Sequence, residues 1–266
     1  MSAPPFLPVV LVSVESSVAT ITLNRPEQRN PLSTTIISYL RTALPWCRTE
    51  PTVTVVVLTR AGDRAFCAGA DLSSFAADQS HLERHHGRHA LVELFLDLTR
   101  LGKPLIGRIN GHALAGGFGL ACSCDHLVAV DSATFGTPET NVGIWPMMIQ
   151  AILTRNLPRK VMLEMFLLGD RWSAAQLQHY GLINRVVSAD RLDAETKELA
   201  LKLATKSSAS TRLGLDAFYR QQDLDFESAL EYLQSQLTLI TLTEDSAEGQ
   251  AAFIEKRPPG SLGNEV

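Results

Sequence analysis

The sequence predicts an α/β protein whose C-terminal part is entirely helical. Over residues 1–194, apolar β-branched runs are followed by small-residue turns and then by segments with helical periodicity, which is typical of strand–turn–helix units. From Asp190 onward the helical periodicity continues almost to Lys256. We therefore divide the chain near residue 195 into an α/β core (1–194) and a C-terminal helical region (195–266).

The first elements are predicted from alternation of side chains and from a helix cap. Residues 9–14 and 18–23 alternate around Glu15-Ser16-Ser17, and this pattern predicts a β-hairpin. Ser33 is a suitable N-cap for a helix that runs toward Arg48. Residues 52–59 form a near-continuous valine run, the pattern of a strand buried on both faces.

Residues 72–89 are polar and irregular, and we predict a mobile loop over a substrate pocket. The segment contains His81, His85, His86 and His89, whose spacing could hold a metal ion on a helix. We predict no metal, because no carboxylate or thiolate partner stands out nearby. The remaining elements of the core are predicted as helices over 90–101, 147 onward, 158–168 and 174–180, and as strands over 105–109 and 184–187.

Composition and charge exclude several classes of protein. The net charge of −4 argues against a protein that holds nucleic acid on a basic face. The first residues lack the basic and apolar segments of a signal peptide, and no apolar run approaches the length of a membrane helix. The 4 cysteines are too few for a disulfide framework in 266 residues. We expect a cytoplasmic protein that binds neither nucleic acid nor membranes.

Two glycine-containing turns stand out, each a few residues downstream of a predicted strand. The first is Ala68-Gly69-Ala70, and the second is Ala115-Gly116-Gly117, which opens an apolar helical segment. Such turns let backbone N–H groups approach a ligand closely, at the positive end of a helix dipole. Two N–H donors aimed at one carbonyl oxygen would form an oxyanion hole. Glu139 follows at a strand-to-loop junction and is a candidate acid or base.

At these residues the sequence resembles the enoyl-CoA hydratase/isomerase family, also called the crotonase superfamily. The resemblance rests on AFCAGADL, KPLIGRINGHALAGGFGLACSCD, ATFGTPETNVGI and AAFIEKRPP, and it extends over nearly the whole chain. It implies a crotonase-like spiral of ββα turns with a C-terminal helical oligomerisation region, and a homotrimer or a dimer of trimers. It also implies an acyl-CoA thioester substrate and no separate cofactor, since coenzyme A is part of the substrate.

The resemblance assigns roles to individual residues of this chain. The N–H groups of Ala70 and Gly116 match the donors that hold the thioester oxygen, and Glu139 matches a catalytic glutamate. The family's hydratases carry a further glutamate at the position of Gly119. The residues expected to contact the acyl-CoA are Arg29, Ala68, Gly69, Asp71, Gly117, Phe118, Gly119, Trp145, Phe253 and Lys256.

With a single carboxylate, we expect an isomerase that moves the double bond of a 3-enoyl-CoA to the 2-position. Hydration needs one group to take a proton from water and another to deliver one to carbon, whereas one base can shuttle a proton across an enolate. The alternative enzyme is a hydratase that works with Glu139 alone or recruits another acid, with Glu93 or a histidine of residues 81–89 as candidates. A catalytically silent acyl-CoA-binding subunit is the alternative from another class.

Several of these residues also have plain structural interpretations. Glu139 could cap its loop, Phe253 could be a core residue, and Lys256 could be a solvated helix-end lysine. For Glu139 we favour catalysis, and we predict that Phe118 and Trp145 keep its carboxyl group away from water and raise its pKa.

Overall fold

The computed structural model describes residues 3–70 and 80–260. They form two sheets and a set of helices, numbered here in chain order. The large sheet has six strands in the order β1 (Val10–Glu15), β2 (Val18–Leu23), β3 (Val55–Arg60), β5 (Leu105–Ile109), β7 (His126–Val130) and β10 (Arg185–Val187). The small sheet has four strands in the order β4 (Ala65–Cys67), β6 (His112–Leu114), β8 (Thr134–Gly136) and β9 (Arg171–Ser173).

The chain alternates between the two sheets and so forms a spiral of ββα turns. Strands β3, β5 and β7 are parallel neighbours in the large sheet, and β4, β6 and β8 are parallel neighbours in the small one. The helices of the core are α1 (Thr34–Thr49), α2 (His81–Thr99), α3 (Gly116–Cys122), α4 (Met147–Asn156), α5 (Arg159–Leu168) and α6 (Ala174–His179). This architecture confirms the predicted α/β spiral.

The N-terminal predictions are confirmed. β1 and β2 pair as an antiparallel hairpin, with Glu15 opposite Val18. The Ser33 side chain accepts a hydrogen bond from the N–H group of Ile36 and caps α1. Every residue of β3 is buried, as its valine run predicts.

The predicted loop over residues 72–89 is wrong from residue 81 onward, because α2 begins at His81. Ser80 and Glu83 form a reciprocal capping box, in which each side chain bonds to the other residue's backbone N–H group. The polar residues after it therefore lie on the exposed first turns of a helix. Within the described residues, no group of three or more His, Cys, Asp or Glu side chains is arranged to hold a metal ion.

Four further helices follow in the described residues: α7 (Leu192–Ala204), α8 (Ser208–Gln221), α9 (Phe226–Thr241) and α10 (Glu244–Glu255). α7 packs on the large sheet, while α8, α9 and α10 pack against one another. The boundary near residue 195 thus falls inside α7, and the division into two domains stays a prediction. No helix in the described ranges combines the length and the apolar character needed to cross a membrane.

Candidate active site

Three turns meet at one edge of the small sheet. Because β4, β6 and β8 are parallel, their carboxyl ends lie side by side, with Cys67 next to Ala113 and Leu114 next to Gly136. The residues that follow these strands are 68–70, 115–117 and 137–139. A hydrogen bond of 2.9 Å from the N–H group of Ala115 to the carbonyl of Gly136 ties the second turn to the third. Parallel pairing therefore brings the predicted oxyanion donors and Glu139 to one place.

The N–H groups of Ala70 and Gly116 lie close together and are free to bind a ligand. A Cβ atom on Gly116 would stand 3.9 Å from the nitrogen of Ala70. Neither N–H group donates to a backbone acceptor among the residues that the structure describes. Ala70 is exposed and Gly116 is partly exposed. Two accessible, unpaired donors at this spacing have the character of an oxyanion hole.

The segment after β2 holds the first turn in place. Ala68 donates a hydrogen bond to the carbonyl of Arg29 (3.1 Å), and Leu32 donates one to the carbonyl of Gly69 (2.8 Å). Between them, the fully buried side chain of Asn30 accepts from the N–H group of Arg25 and donates to the carbonyl of Ala65. Backbone bonds on both sides of Gly69 therefore orient the N–H group of Ala70.

Glu139 lies in a short 3-10 helix, Pro138–Val142, directly after β8. Its Oε2 atom is buried and makes no hydrogen bond within the described part of the chain. Burial raises the pKa of Glu139 above its usual value of 4.5, and a hydrogen bond from its own N–H group opposes the rise only in part. A partly desolvated carboxylate whose Oε2 atom has no partner in the described part of the chain is a suitable general base.

Comparison with known proteins agrees with this geometry. The sequence model described as "Enoyl-CoA hydratase/isomerase" matches residues 13–261. The chain belongs to the enoyl-CoA hydratase/isomerase family. It is 33% identical over 255 residues to "Enoyl-CoA hydratase domain-containing protein 3, mitochondrial" of Xenopus laevis, covering 95% of this chain and 85% of the relative. It is also 33% identical over 256 residues to the 2,3-dehydroadipyl-CoA hydratase of Escherichia coli, covering 96% and 98%.

Solved structures of the family share the fold over almost their whole length. The crystal structure of an enoyl-CoA hydratase from Mycobacterium smegmatis superposes with a TM-score of 0.92 at 34% identity, covering 96% of this chain and 99% of that one. The human enoyl-CoA hydratase domain-containing protein 3 superposes with a TM-score of 0.90 at 29% identity, covering 95% and 99%.

The α3 segment of this family member is packed too tightly for larger side chains. A Cβ atom on Gly117 would lie 2.3 Å from the carbonyl oxygen of Cys67. Phe118 is fully buried, with its ring 5.6 Å from that of Phe135. Gly119 is buried as well. The structure thus gives Gly117 and Phe118 packing roles, and their predicted contacts with substrate stay predictions.

Trp145 lies close to Glu139 along the chain but has other contacts. Its ring packs edge-on against Phe166 at 5.7 Å, and its indole N–H group donates to Gln150. Burial does raise the pKa of Glu139, as predicted. The prediction that Phe118 and Trp145 cause this desolvation remains untested by these contacts.

The four remaining predicted contacts with the acyl-CoA are exposed or lie outside the described residues. The side chain of Arg29 is exposed beside the first turn, and Asp71 lies outside the described ranges. Phe253 is 85% exposed on α10, so it is not a core residue of the single chain. Lys256 is exposed in a left-handed conformation just after α10.

Glu93, one of the alternative acids for hydration, is engaged in ion pairs. Glu93 lies 3.5 Å from Arg41 of α1 and 3.5 Å from His89 on its own helix. Asp97, one turn further along α2, also pairs with Arg41 at 3.0 Å. Glu93 is therefore part of an ion-pair network between α1 and α2.

Two residues next to the site, Asn30 and Ile149, were not predicted from the sequence. Asn30 has a positive φ of 49° and is completely buried. The Asn30-Pro31 pair is a turn signal that could have revealed it. Ile149 contacts Gly119 across the interface of α3 and α4, and no local pattern predicts that contact.

Proposed function

We propose that this protein is an enoyl-CoA isomerase that moves the double bond of a 3-enoyl-CoA to the 2-position. The buried, unpaired Oε2 atom of Glu139 carries the proposal. Glu139 takes the proton from C2, and the electron pair left behind spreads to the thioester oxygen. The N–H groups of Ala70 and Gly116 bind that oxygen, and Glu139 then returns the proton to C4.

The raised pKa of Glu139 suits this shuttle. A base with an elevated pKa holds the proton more firmly between its removal from C2 and its return to C4. The two N–H donors stabilise the charge on the oxygen without having to reorient, which is typically worth about 10²- to 10³-fold in rate per donor. The reaction needs no group besides the coenzyme A of the substrate.

The names of the relatives favour hydration as the second candidate. The Escherichia coli relative is named a hydratase, and so is the solved structure from Mycobacterium smegmatis. A hydratase at this site would need a second acid, and position 119 carries a glycine. A silent acyl-CoA-binding subunit is the third candidate, to be separated by turnover.

The deciding experiment measures turnover of 3-hexenoyl-CoA and crotonyl-CoA by the purified protein and by Glu139→Gln. We expect isomerisation without hydration, and a loss of about 10²- to 10⁴-fold in the variant. Glu164→Gln, which changes an exposed carboxylate on α5, is the matched control and should keep full activity. Brisk hydration of crotonyl-CoA would overturn the isomerase assignment, and tight acyl-CoA binding without turnover would favour the silent subunit.

We also infer assembly into a trimer or a dimer of trimers. Exposed apolar side chains are consistent with burial against other copies: Phe226 and Leu237 on α9, Leu242 directly after it, and Phe253 and Ile254 on α10. Sedimentation velocity of the wild-type protein tests this directly, and a monomer would contradict it. The cytoplasmic location stays a prediction, since the Xenopus relative is named as mitochondrial.

A further inference from the structure

We propose that Ile149 is a specificity-determining residue that limits this site to one-base chemistry. Together with Phe95, its side chain occupies the volume beside the oxyanion turn that a second carboxylate would need. The inference rests on the proposed isomerase function.

Gly119 and Ile149 lie so close together that no side chain fits at position 119. A Cβ atom on Gly119 would lie 2.4 Å from Cγ2 and 2.9 Å from Cβ of Ile149, and 3.2 Å from Cζ of Phe95. Ile149 and Phe95 are themselves buried, so neither can turn aside into solvent. Even a methyl group is therefore excluded at position 119 unless α3 and α4 move apart.

Position 119 faces the same side of α3 as the oxyanion donor. Gly119 follows Gly116 by three residues, and residues at this spacing share one face of a helix. Glycine lowers the stability of a helix interior relative to alanine, so its presence there calls for a reason. The close approach of Ile149 supplies that reason.

The segment that carries Glu139 also positions Ile149. The carbonyl of Glu139 accepts a hydrogen bond from the N–H group of Ile144 at 3.0 Å. The indole of Trp145 then bonds to Gln150 at 2.6 Å, within the first turns of α4. One short stretch of chain, residues 139–150, thus holds both Glu139 and Ile149.

This arrangement has a chemical consequence. Addition of water to a double bond needs a bound water molecule and a second group that exchanges protons with it or with carbon. The hydrocarbon side chains of Ile149 and Phe95 offer neither a hydrogen bond nor a proton. The site therefore favours internal return of the proton from Glu139 over addition of water.

The packing is tested by a double-mutant cycle on thermal stability. Gly119→Ala should lower the melting temperature by roughly 5 °C in the wild-type background. The penalty should shrink only partly with Ile149→Ala, because the Cβ atom at 2.9 Å remains. It should be smallest with Ile149→Gly, which removes both clashes with Ile149 and leaves the 3.2 Å approach to Cζ of Phe95. Leu153→Ala, a buried truncation one turn further along α4, is the control and should leave the penalty unchanged. Equal penalties in all backgrounds would overturn the packing argument.

The specificity is tested with Gly119→Glu in the Ile149→Gly background. The double variant should hydrate crotonyl-CoA at least about 100-fold faster than the wild-type protein or either single variant, because a second carboxylate then has room. A wild-type enzyme that isomerises, together with a folded double variant that does not hydrate, would overturn the role of Ile149. Brisk hydration by the wild-type enzyme would instead overturn the proposed function, and this inference with it.

Discussion

A Cβ atom placed on Gly69 would lie 2.7 Å from the Cβ atom of Ala115. The two turns that carry the candidate oxyanion donors therefore pack so closely that no side chain fits between them at position 69. Gly69 has a φ of +95°, which L-residues rarely adopt, and Ala115 itself has a positive φ of 51°. Glycine adopts such a φ without strain, whereas alanine does not. The strain at Ala115 indicates that the surrounding packing holds the second turn in this arrangement.

We predict that Gly69→Ala lowers kcat/KM by about 10²- to 10³-fold, because the turn must shift and the N–H group of Ala70 moves with it. The same change should cost about 1–3 kcal/mol in the free energy of unfolding. Gly181→Ala is the matched control. Gly181 has a φ of +80°, and apart from its chain neighbours no described atom lies within 4 Å of where its Cβ atom would stand. Similar losses of kcat/KM in both variants would contradict the role of the Ala70 N–H group as an oxyanion donor.

We predict that the acid limb of the kcat/KM profile for isomerisation titrates above pH 4.5. Glu139 must be ionised to accept a proton, and burial raises its pKa above that usual value. The measurement is a pH–rate profile with 3-hexenoyl-CoA. A limb at or below pH 4.5 would show that Glu139 is not the desolvated base.

We predict that Glu139→Gln does not destabilise the protein at neutral pH. Because the folded-state pKa of Glu139 is raised, the wild-type protein loses stability as pH rises from 4.5 through that pKa. The neutral amide avoids this loss. The free energy of unfolding of the variant should therefore exceed that of the wild-type protein increasingly as pH rises through this range, and the difference should then stay constant. Urea unfolding at a series of pH values measures it. A stability difference in favour of the variant that appears only toward low pH would contradict a raised pKa of Glu139.

We predict that Asn30→Ala costs about 2 kcal/mol or more in the free energy of unfolding. The change removes the acceptor for the N–H group of Arg25 and places alanine at a φ of 49°. Isomerisation should also slow, since the segment next to Ala70 loses its anchor. Asn24→Ala removes only an exposed bond to Pro8 and is the control. Unchanged denaturation midpoints would refute this prediction.

We predict that Tyr219→Phe costs about 1–2 kcal/mol in the free energy of unfolding. The Tyr219 hydroxyl of α8 donates to Asp125, whose other oxygen accepts from the N–H group of Leu105 at 2.7 Å. The bond thereby fastens the C-terminal helices to the large sheet. Tyr232→Phe removes a hydroxyl that makes no hydrogen bond within the described ranges. Equal stability of the two variants would argue against this anchor.

Local sequence determined most of the elements of this protein. The alternation around Glu15 predicted the hairpin, and Ser33 predicted the start of α1. The beginning of α2 was also readable, because Ser80 and Glu83 stand at the spacing of a capping box. Such signals act over a few residues, so they are complete in the sequence itself. The place of Glu139 at a strand-to-loop junction made it a candidate base, and the resemblance supported that choice. No local signal shows that its Oε2 atom lacks a partner in the described part of the chain.

Only the tertiary structure decided which residues pack around the site. The contact between Gly119 and Ile149 joins two helices, and the burial of Asn30 depends on carbonyl groups of residues 61 and 65. Their positions follow from parallel pairing of β4, β6 and β8, whose partners are far apart in sequence. Residue types and spacings therefore indicated which chemical groups the chain possesses. Only the folded chain decided which of them stand within bonding or contact distance.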